Sequence, residues 1–326
     1  MNKLTKVGLS ALCGSLASVA AANAGTLEVI GGATATWTSL EGTETGNPLG
    51  MDSALTFKGS GELDGGQTFS LTLVHLDQVA GYSSGNITLN TNNLGKFVLS
   101  QKEGGQGIGG YDDKMPTAWE ETWGTGLGTG IDLAKGVGSS TNVSWTSPEL
   151  GPMTLQIAYA SQNDGVSALD KAGTGANTGS KQEGIDAVLD LNAGGLNFFV
   201  GGSVSQQDAN ADNQRTGDHE EAVAGFIFTV GPLQAGLQKT GEWYGGNNGG
   251  DVEYYDNTAW GVSFNVNDDL SLSYGEFKSK KGYMGKSVGD VWDTARDMDF
   301  VEAKSIQLAY TMGGASIKIA ESSVDN

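Results

Sequence analysis

The chain has 326 residues, 38 acidic against 18 basic side chains and a formal charge of −20, a balance that argues against nucleic acid and other polyanions as partners. Its 52 glycines and single cysteine speak against a helix bundle and a disulfide scaffold. No apolar run approaches 18 residues, so no helix spans a membrane; the negative mean hydropathy leaves room for a β-barrel, which buries only alternate residues in lipid.

Residues 1–24 read as an export signal. Lys3 and Lys6 form the charged start, residues 7–19 a short apolar run, and Ala22-Asn23-Ala24 a small-residue cleavage site that leaves Gly25 at the mature N-terminus. Cys13 departs with the signal; Leu12 before it is the wrong residue for a lipoprotein site. The two lysines leave as well, so −20 becomes −22 for the mature chain, a surface that repels anions and attracts cations. Residues 25–326 form one domain.

From there on the dominant pattern has period two. Leu55 and Phe57 alternate with Thr56, Lys58 and Ser60; Phe69, Leu71 and Leu73 alternate with Ser70 and Thr72. Phe97 and Leu99 oppose Lys96, Val98 and Ser100, and Leu155, Ile157 and Tyr159 oppose Thr154 and Gln156. The pattern returns at Ile185/Ala187/Leu189/Leu191, at Trp260/Val262/Phe264/Val266, at Ile306/Leu308/Tyr310 and at Ile317/Ile319 against Ser316 and Lys318. Fifteen strands are expected, near 27–40, 50–62, 67–78, 85–92, 96–101, 139–147, 153–163, 181–193, 196–207, 219–230, 233–244, 252–266, 270–281, 300–312 and 315–324.

A soluble sandwich could alternate in the same way, and the connections decide between the two. Tight turns of Gly, Asn, Asp and Pro sit at residues 64–66, 93–95, 149–152, 194–195, 231–232, 267–269 and 313–314. Between them lie longer polar stretches at 41–48, 79–84, 102–138, 163–180, 208–218, 245–251 and 282–299, so short and long connections take turns. An all-β, antiparallel up-and-down transmembrane barrel in an outer membrane has this rhythm. Lipid forbids unpaired backbone, so a chain with no spanning helix must close its sheet. Trp37, Tyr82, Trp145, Tyr159, Trp243, Tyr244, Tyr254, Tyr255, Trp260 and Tyr274 are read as interfacial girdles. Single-chain barrels carry even strand numbers, so a sixteenth strand, ending in an aromatic residue, is expected beyond Asn326.

The third long connection, residues 102–138, is the largest. The turn and strand before it, "NLGKFVLSQ" at residues 93–101, together with a signal, sixteen strands and this long third loop, resemble the Gram-negative general diffusion porins. The resemblance extends in pattern over the mature chain and is specific around residues 94–125. It implies a trimer, an outer-membrane location among lipid and lipopolysaccharide, no enzymatic activity, and a third loop that folds inward to narrow a water-filled pore for small hydrophilic solutes and ions. The chain departs from the family where an arginine cluster is often found across from the loop. Its only arginines are Arg215 and Arg296, both in expected outer loops.

Carried onto this chain, the resemblance makes Asp112, Asp113, Glu120 and Glu121, with Asp132, the acidic side of a constriction, partly offset by Lys114 and Lys135. Lys58, Lys96 and Lys318 fall on the polar phase of their strands and are expected on the pore wall, with Lys102 at the loop's entrance. Acids outnumber bases, so a mild cation preference is expected. Trp119 and Trp123 are candidates for anchoring the loop. No catalytic set, cofactor site or metal site is expected: His75 and His219 are too few and too far apart for zinc or a triad, and 124–130 is glycine-rich but lacks the lysine of a phosphate loop. The segment 208–212 lacks the glycine of an EF-hand; only weak divalent-cation binding by acidic outer loops is expected. A substrate-specific outer-membrane channel and a secreted β-rich surface or adhesin protein are the alternatives, the latter weakened by the absence of a fixed repeat.

Overall fold

The computed structural model describes residues 25–41, 46–77, 83–101, 104–122, 131, 133–138, 140–162, 181–207, 217–245, 252–283, 287–288, 291–292 and 299–325. The export signal with Ala22 and Ala24, and Tyr82, Lys102, Trp123, Asp132, Arg215 and Arg296, lie outside the described residues, as do 124–130 and 208–212. Gly25 directly precedes the first strand.

The strands are β1 (Thr26–Trp37), β2 (Leu49–Glu62), β3 (Thr68–Leu76), β4 (Ser84–Asn90), β5 (Lys96–Gln101), β6 (Asn142–Thr146) and β7 (Met153–Ala160). They continue as β8 (Lys181–Ala193), β9 (Leu196–Gln207), β10 (His219–Val230), β11 (Leu233–Trp243), β12 (Val252–Asn265) and β13 (Leu270–Tyr283). The chain ends with a two-residue hairpin, β14 (Ser287–Val288) and β15 (Val291–Trp292), then β16 (Asp299–Met312) and β17 (Ala315–Asp325). Fifteen of them form one antiparallel sheet in strict chain order, β1 through β13 followed by β16 and β17. The hairpin β14–β15 forms its own two-stranded sheet inside the last long connection, which the sequence presents only as a polar loop.

Register follows the hydrophobic alternation, because a one-residue slip would turn every apolar side chain to the other face. Phe57 pairs with Val29 and Leu73, Phe226 with Leu237 and Phe198, and Leu308 with Leu272 and Ile319. These side chains share one face, where Leu27, Leu55, Phe57, Leu71, Leu99, Ile185, Phe228, Leu237, Phe264, Ile306 and Ile319 are all exposed. So continuous an apolar exterior belongs in lipid rather than in water. The tight turns are built for the same register: Gly194 and Gly195 both have positive φ, 57° and 89°, the hairpin geometry that matches strand twist.

Trp145, at the end with the short turns, donates its indole N–H to the Leu94 carbonyl at 2.6 Å. Trp243 stacks on Tyr254, their ring centroids 6.5 Å apart, at the end with the long loops, and Tyr159 there donates to Glu183 at 3.0 Å. Tyr244 and Tyr255 depart from the girdle reading. Tyr244 packs edge-on against the fully buried His219 of the inner face, and Tyr255 packs against Tyr244. The alternation itself gives this face: Tyr244 is in phase with Glu242, and Tyr255, out of phase with Trp260 and Val262, pairs with Glu242.

Among the described residues no ladder joins β1 to β17. Counting along an antiparallel sheet, the first and fifteenth strands run in the same direction.

Candidate functional site

The inner face of the sheet carries Ser, Thr, Asn, Gln and charge, and the described residues of the third long connection, 104–122, 131, 133–138 and 140, lie against part of it. Among them is a 3₁₀ turn at Gly107–Gly110, between β5 and β6. These residues have little regular structure of their own, so their backbone groups need partners from elsewhere. The inner wall supplies them.

Asp186 on β8 holds both arms of the connection at once. Its carboxylate accepts the N–H of Ile108 at 3.1 Å from the outgoing arm and that of Val137 at 3.1 and 3.2 Å from the returning arm. Gly107 and Gly136 precede these donors with φ of 61° and 53°, and a β-carbon on either would collide with the Asp186 carboxylate. Only glycine gives both the left-handed turn and the close approach. Next along, Glu221 on β10 accepts the N–H groups of Lys135 and Gly136.

Further around the wall, side-chain amides substitute for a missing strand. Gln238 on β11 accepts the Lys114 N–H at 3.1 Å and donates to the Tyr111 and Asp112 carbonyls at 2.8 and 2.7 Å. Gln307 on β16 accepts from the N–H of Trp119 and of Glu120 and donates to the Glu120 carbonyl. Ser273 on β13 accepts the Ala118 N–H at 2.8 Å.

Packing reinforces the polar contacts. Ile108 and Ala134 bury themselves among Val188, Phe199 and Val223, with Tyr111 and Met115 alongside. Met115, Ile131 and Leu133 pack on Ala259, Phe277 and Ala303, and Val137 packs on Ala158 and Ala160. Glycine on the inner face lets the loop backbone come near. Gly236, Gly261 and Gly275 pair in a row across β11, β12 and β13. A β-carbon on Gly261 would sit 2.7 Å from the Pro116 carbonyl oxygen, one on Gly275 2.5 Å from Thr122 Oγ1, and one on Gly236 3.0 Å from Pro116 Cδ.

The sequence-derived site residues fall into three groups. Asp112, Asp113, Glu120 and Glu121 all ride on the docked loop. Burial, then the neighbouring charge of Asp113 and a hydrogen bond to it, push the Asp112 carboxyl up to about 7. Burial and a hydrogen bond to Asp113 likewise raise Glu121 to about 7. Asp113 thus lies between two acids, each hydrogen-bonded to it. Burial beside Asp190 pushes the Tyr111 phenol up, out of the physiological range.

Lys58, Lys96 and Lys318 occupy the inner-face register, paired with Glu28 and Thr72, with Asn90 and Thr146, and with Ala309. The ammonium of Lys318 lies 6.0 Å from the centre of the Trp119 ring, beside the loop. Trp119 is held to the wall through its backbone N–H on Gln307.

Reading the sequence missed the receptors: Asp186, Glu221, Gln238, Ser273 and Gln307 on the wall, and Ile108 and Met115 on the loop. A signal for them is present. Val188, Phe199, Val223 and Phe277 are apolar residues on the polar phase of their strands, interspersed with Gly201, Gly225, Gly236, Gly261 and Gly275. Apolar side chains and glycines on a face meant for water mark a place where something lands.

A sequence-family model described as Gram-negative porin matches residues 8–326. The chain is a Gram-negative porin. Among curated proteins no sequence matches the chain. Its fold is similar to that of solved porins: OmpT of Vibrio cholerae, folded in vitro, aligns over 94% of this chain and 89% of its own, at a TM-score of 0.65 and 13% identity. A trimer form of the same protein gives 0.63 at 13% identity over 93% and 89%. OmpF of Salmonella typhi, in complex with daunomycin, gives 0.60 at 10% identity over 92% and 90%. The porin is therefore a non-enzymatic outer-membrane channel, and the reading as a secreted adhesin is set aside. Its apolar outer face meets lipid, and its short turns lie on the periplasmic side.

Proposed function

We propose that this porin passes small hydrophilic solutes and ions by diffusion, and that the third loop, docked on the inner wall, sets the width and the field of the pore. One observation carries the reading: loop residues between Ile108 and Val137 donate backbone N–H groups to inner-face side chains on five strands, β8, β10, β11, β13 and β16. A segment bound this way occupies one side of the lumen and leaves the passage between itself and the wall of β1–β4.

Asp112, Asp113, Glu120 and Glu121 then form the acidic side of the passage, while Lys58 and Lys96 line the wall and Lys318 flanks the loop. Acids outnumber bases, and the field favours cations mildly. The porin works as a homotrimer in a membrane of lipid and lipopolysaccharide, as the trimer form of the Vibrio relative supports. Residues 1–24 act as the export signal.

Reversal potentials in planar bilayers test the proposal. The wild type is expected to prefer cations, and the quadruple variant Asp112→Asn, Asp113→Asn, Glu120→Gln, Glu121→Gln to lose that preference with its heat-modifiable trimer band intact. Anion selectivity in the wild type, or selectivity unmoved by the four changes, rejects it.

A further inference from the structure

We propose that His219, Glu221 and Glu242 form a binding site for a divalent first-row transition ion of the zinc type, on the inner wall at the root of the third loop's returning arm. His219 and Glu221 stand at i and i+2 of β10 and therefore share the inner face, and Glu242 of β11 is the direct cross-strand partner of Glu221. His219 is fully buried, and Glu221 and Glu242 are 5% and 6% exposed. One donor atom from each, an imidazole nitrogen and two carboxylate oxygens, lies within 4.8 Å of the others, and His219 Nε2 is 2.8 Å from Glu242 Oε1.

The arrangement is unfavourable for a sheet and favourable for a cation. Two buried carboxylates directly across a ladder repel, and a cation held between them and the imidazole relieves that repulsion. The ring of Tyr244 packs edge-on against the imidazole, with Tyr255 packed behind it, and His219 is fully buried. The donor set selects among ions. Calcium takes six to eight oxygens and magnesium keeps most of its waters, whereas one nitrogen and two carboxylates with an open position suit zinc. A tetrahedral ion with bonds of about 2.1 Å holds its ligand atoms about 3.4 Å apart, so side-chain rotation must open the 2.8 Å hydrogen bond between His219 and Glu242 and shorten the longest of the present separations. His219 alone is too little for such a site, and the register of β10 and β11 supplies the rest.

The site is linked to the loop through Glu221, whose carboxylate accepts from Lys135 and Gly136. A carboxylate has about four lone-pair directions, so one group can hold both an ion and two N–H donors. Ion binding would fix Glu221 and with it the returning arm.

Zinc titration of the folded protein in detergent, with excess magnesium to fill weak outer-loop sites, tests the inference. One micromolar site per chain is expected, weakened about 100-fold or more in His219→Gln and in Glu242→Gln and unchanged in His75→Gln, which faces outward. The bound ion should also reduce open-channel noise and raise the temperature of the heat-modified gel shift. Absence of saturable binding, or binding that survives His219→Gln, overturns the site and assigns any zinc to the acidic loops. If the variants do not fold, histidine-labelled wild type decides: zinc must shift the ring nitrogens of His219 and leave those of His75 in place, and any other pattern rejects the site.

Discussion

The two sides of the inner wall have the same polar phase and opposite fates. Along β1–β4 no inner-face side chain is buried: Lys58 is exposed, and Thr72 and Thr88 are half-buried. Along β8–β13 and β16, Asp186, Ser203, Glu221, Val223, Gln238, Ala259, Phe277 and Gln307 are buried, most of them under or beside the third loop. The difference lies in residue type. The open wall carries mostly Ser, Thr, Asn and charged side chains, with Ile30, Val74 and Leu76 as its scattered apolar members. The covered wall mixes carboxylates and amides, which can satisfy a strandless backbone, with apolar patches and a row of glycines that lets it approach. One half of the barrel is built as channel lining and the other as a receptor for a loop.

That contrast can be broken at the receptor. The largest effect is expected from Asp186→Ala, which releases both arms and removes charge-assisted bonds worth about 1.5–3 kcal/mol each. Single-channel conductance should rise and become noisy, and loop residues 104–122 should become sensitive to added protease, while the same substitution at Asp52 on the open wall should do neither. Gly261→Leu comes next: its side chain meets the Pro116 carbonyl, and overpacking of about 1–3 kcal/mol should push the loop tip outward and raise conductance without touching a charge. Gln307→Ala should loosen the stretch at Trp119 and Glu120 by about 1–2 kcal/mol, read as faster amide exchange there than at Ile108.

Charge sharpens the same comparison with smaller effects. Asp112 and Glu121 titrate near 7, above the usual carboxylate range, so they take up protons as the pH falls from 8 to 6. Cation preference should decline across that interval. The folded state then binds more protons than the unfolded one, so docking of the loop gains stability as the pH falls through 7 and the gain is complete near the ordinary carboxylate value of about 4. Hydrogen exchange of the loop at pH 6 and 8 checks the sign: slower opening at pH 6 is expected after correction for intrinsic rates. Lys318→Gln, beside Trp119, should shift the reversal potential toward cations by less than the four acid substitutions shift it away.

Much of this was legible in the residues. Period-two alternation located all fifteen strands of the sheet, and the turn chemistry ordered them, because both signals are local. The third loop stood out by length and by Asp112, Asp113, Glu120 and Glu121. The receptor did not stand out, because Asp186 lies 78 residues from Ile108 and Gln307 lies 187 from Glu120. The misplacement of Tyr244 and Tyr255 has a different cause: the girdle reading rests on aromatic type near strand ends, whereas their phase in the alternation puts them on the inner face.

By itself, then, the sequence determined the strands, their register and the outward face, since a sheet in lipid requires apolar residues at every second position and close turns between neighbours. Only the tertiary structure decided where the third loop rests and which acids hold it. The curvature of the sheet brings β8, β11 and β16 around a segment they never neighbour in the chain, and backbone groups without a strand of their own bind whatever acceptors that curvature presents.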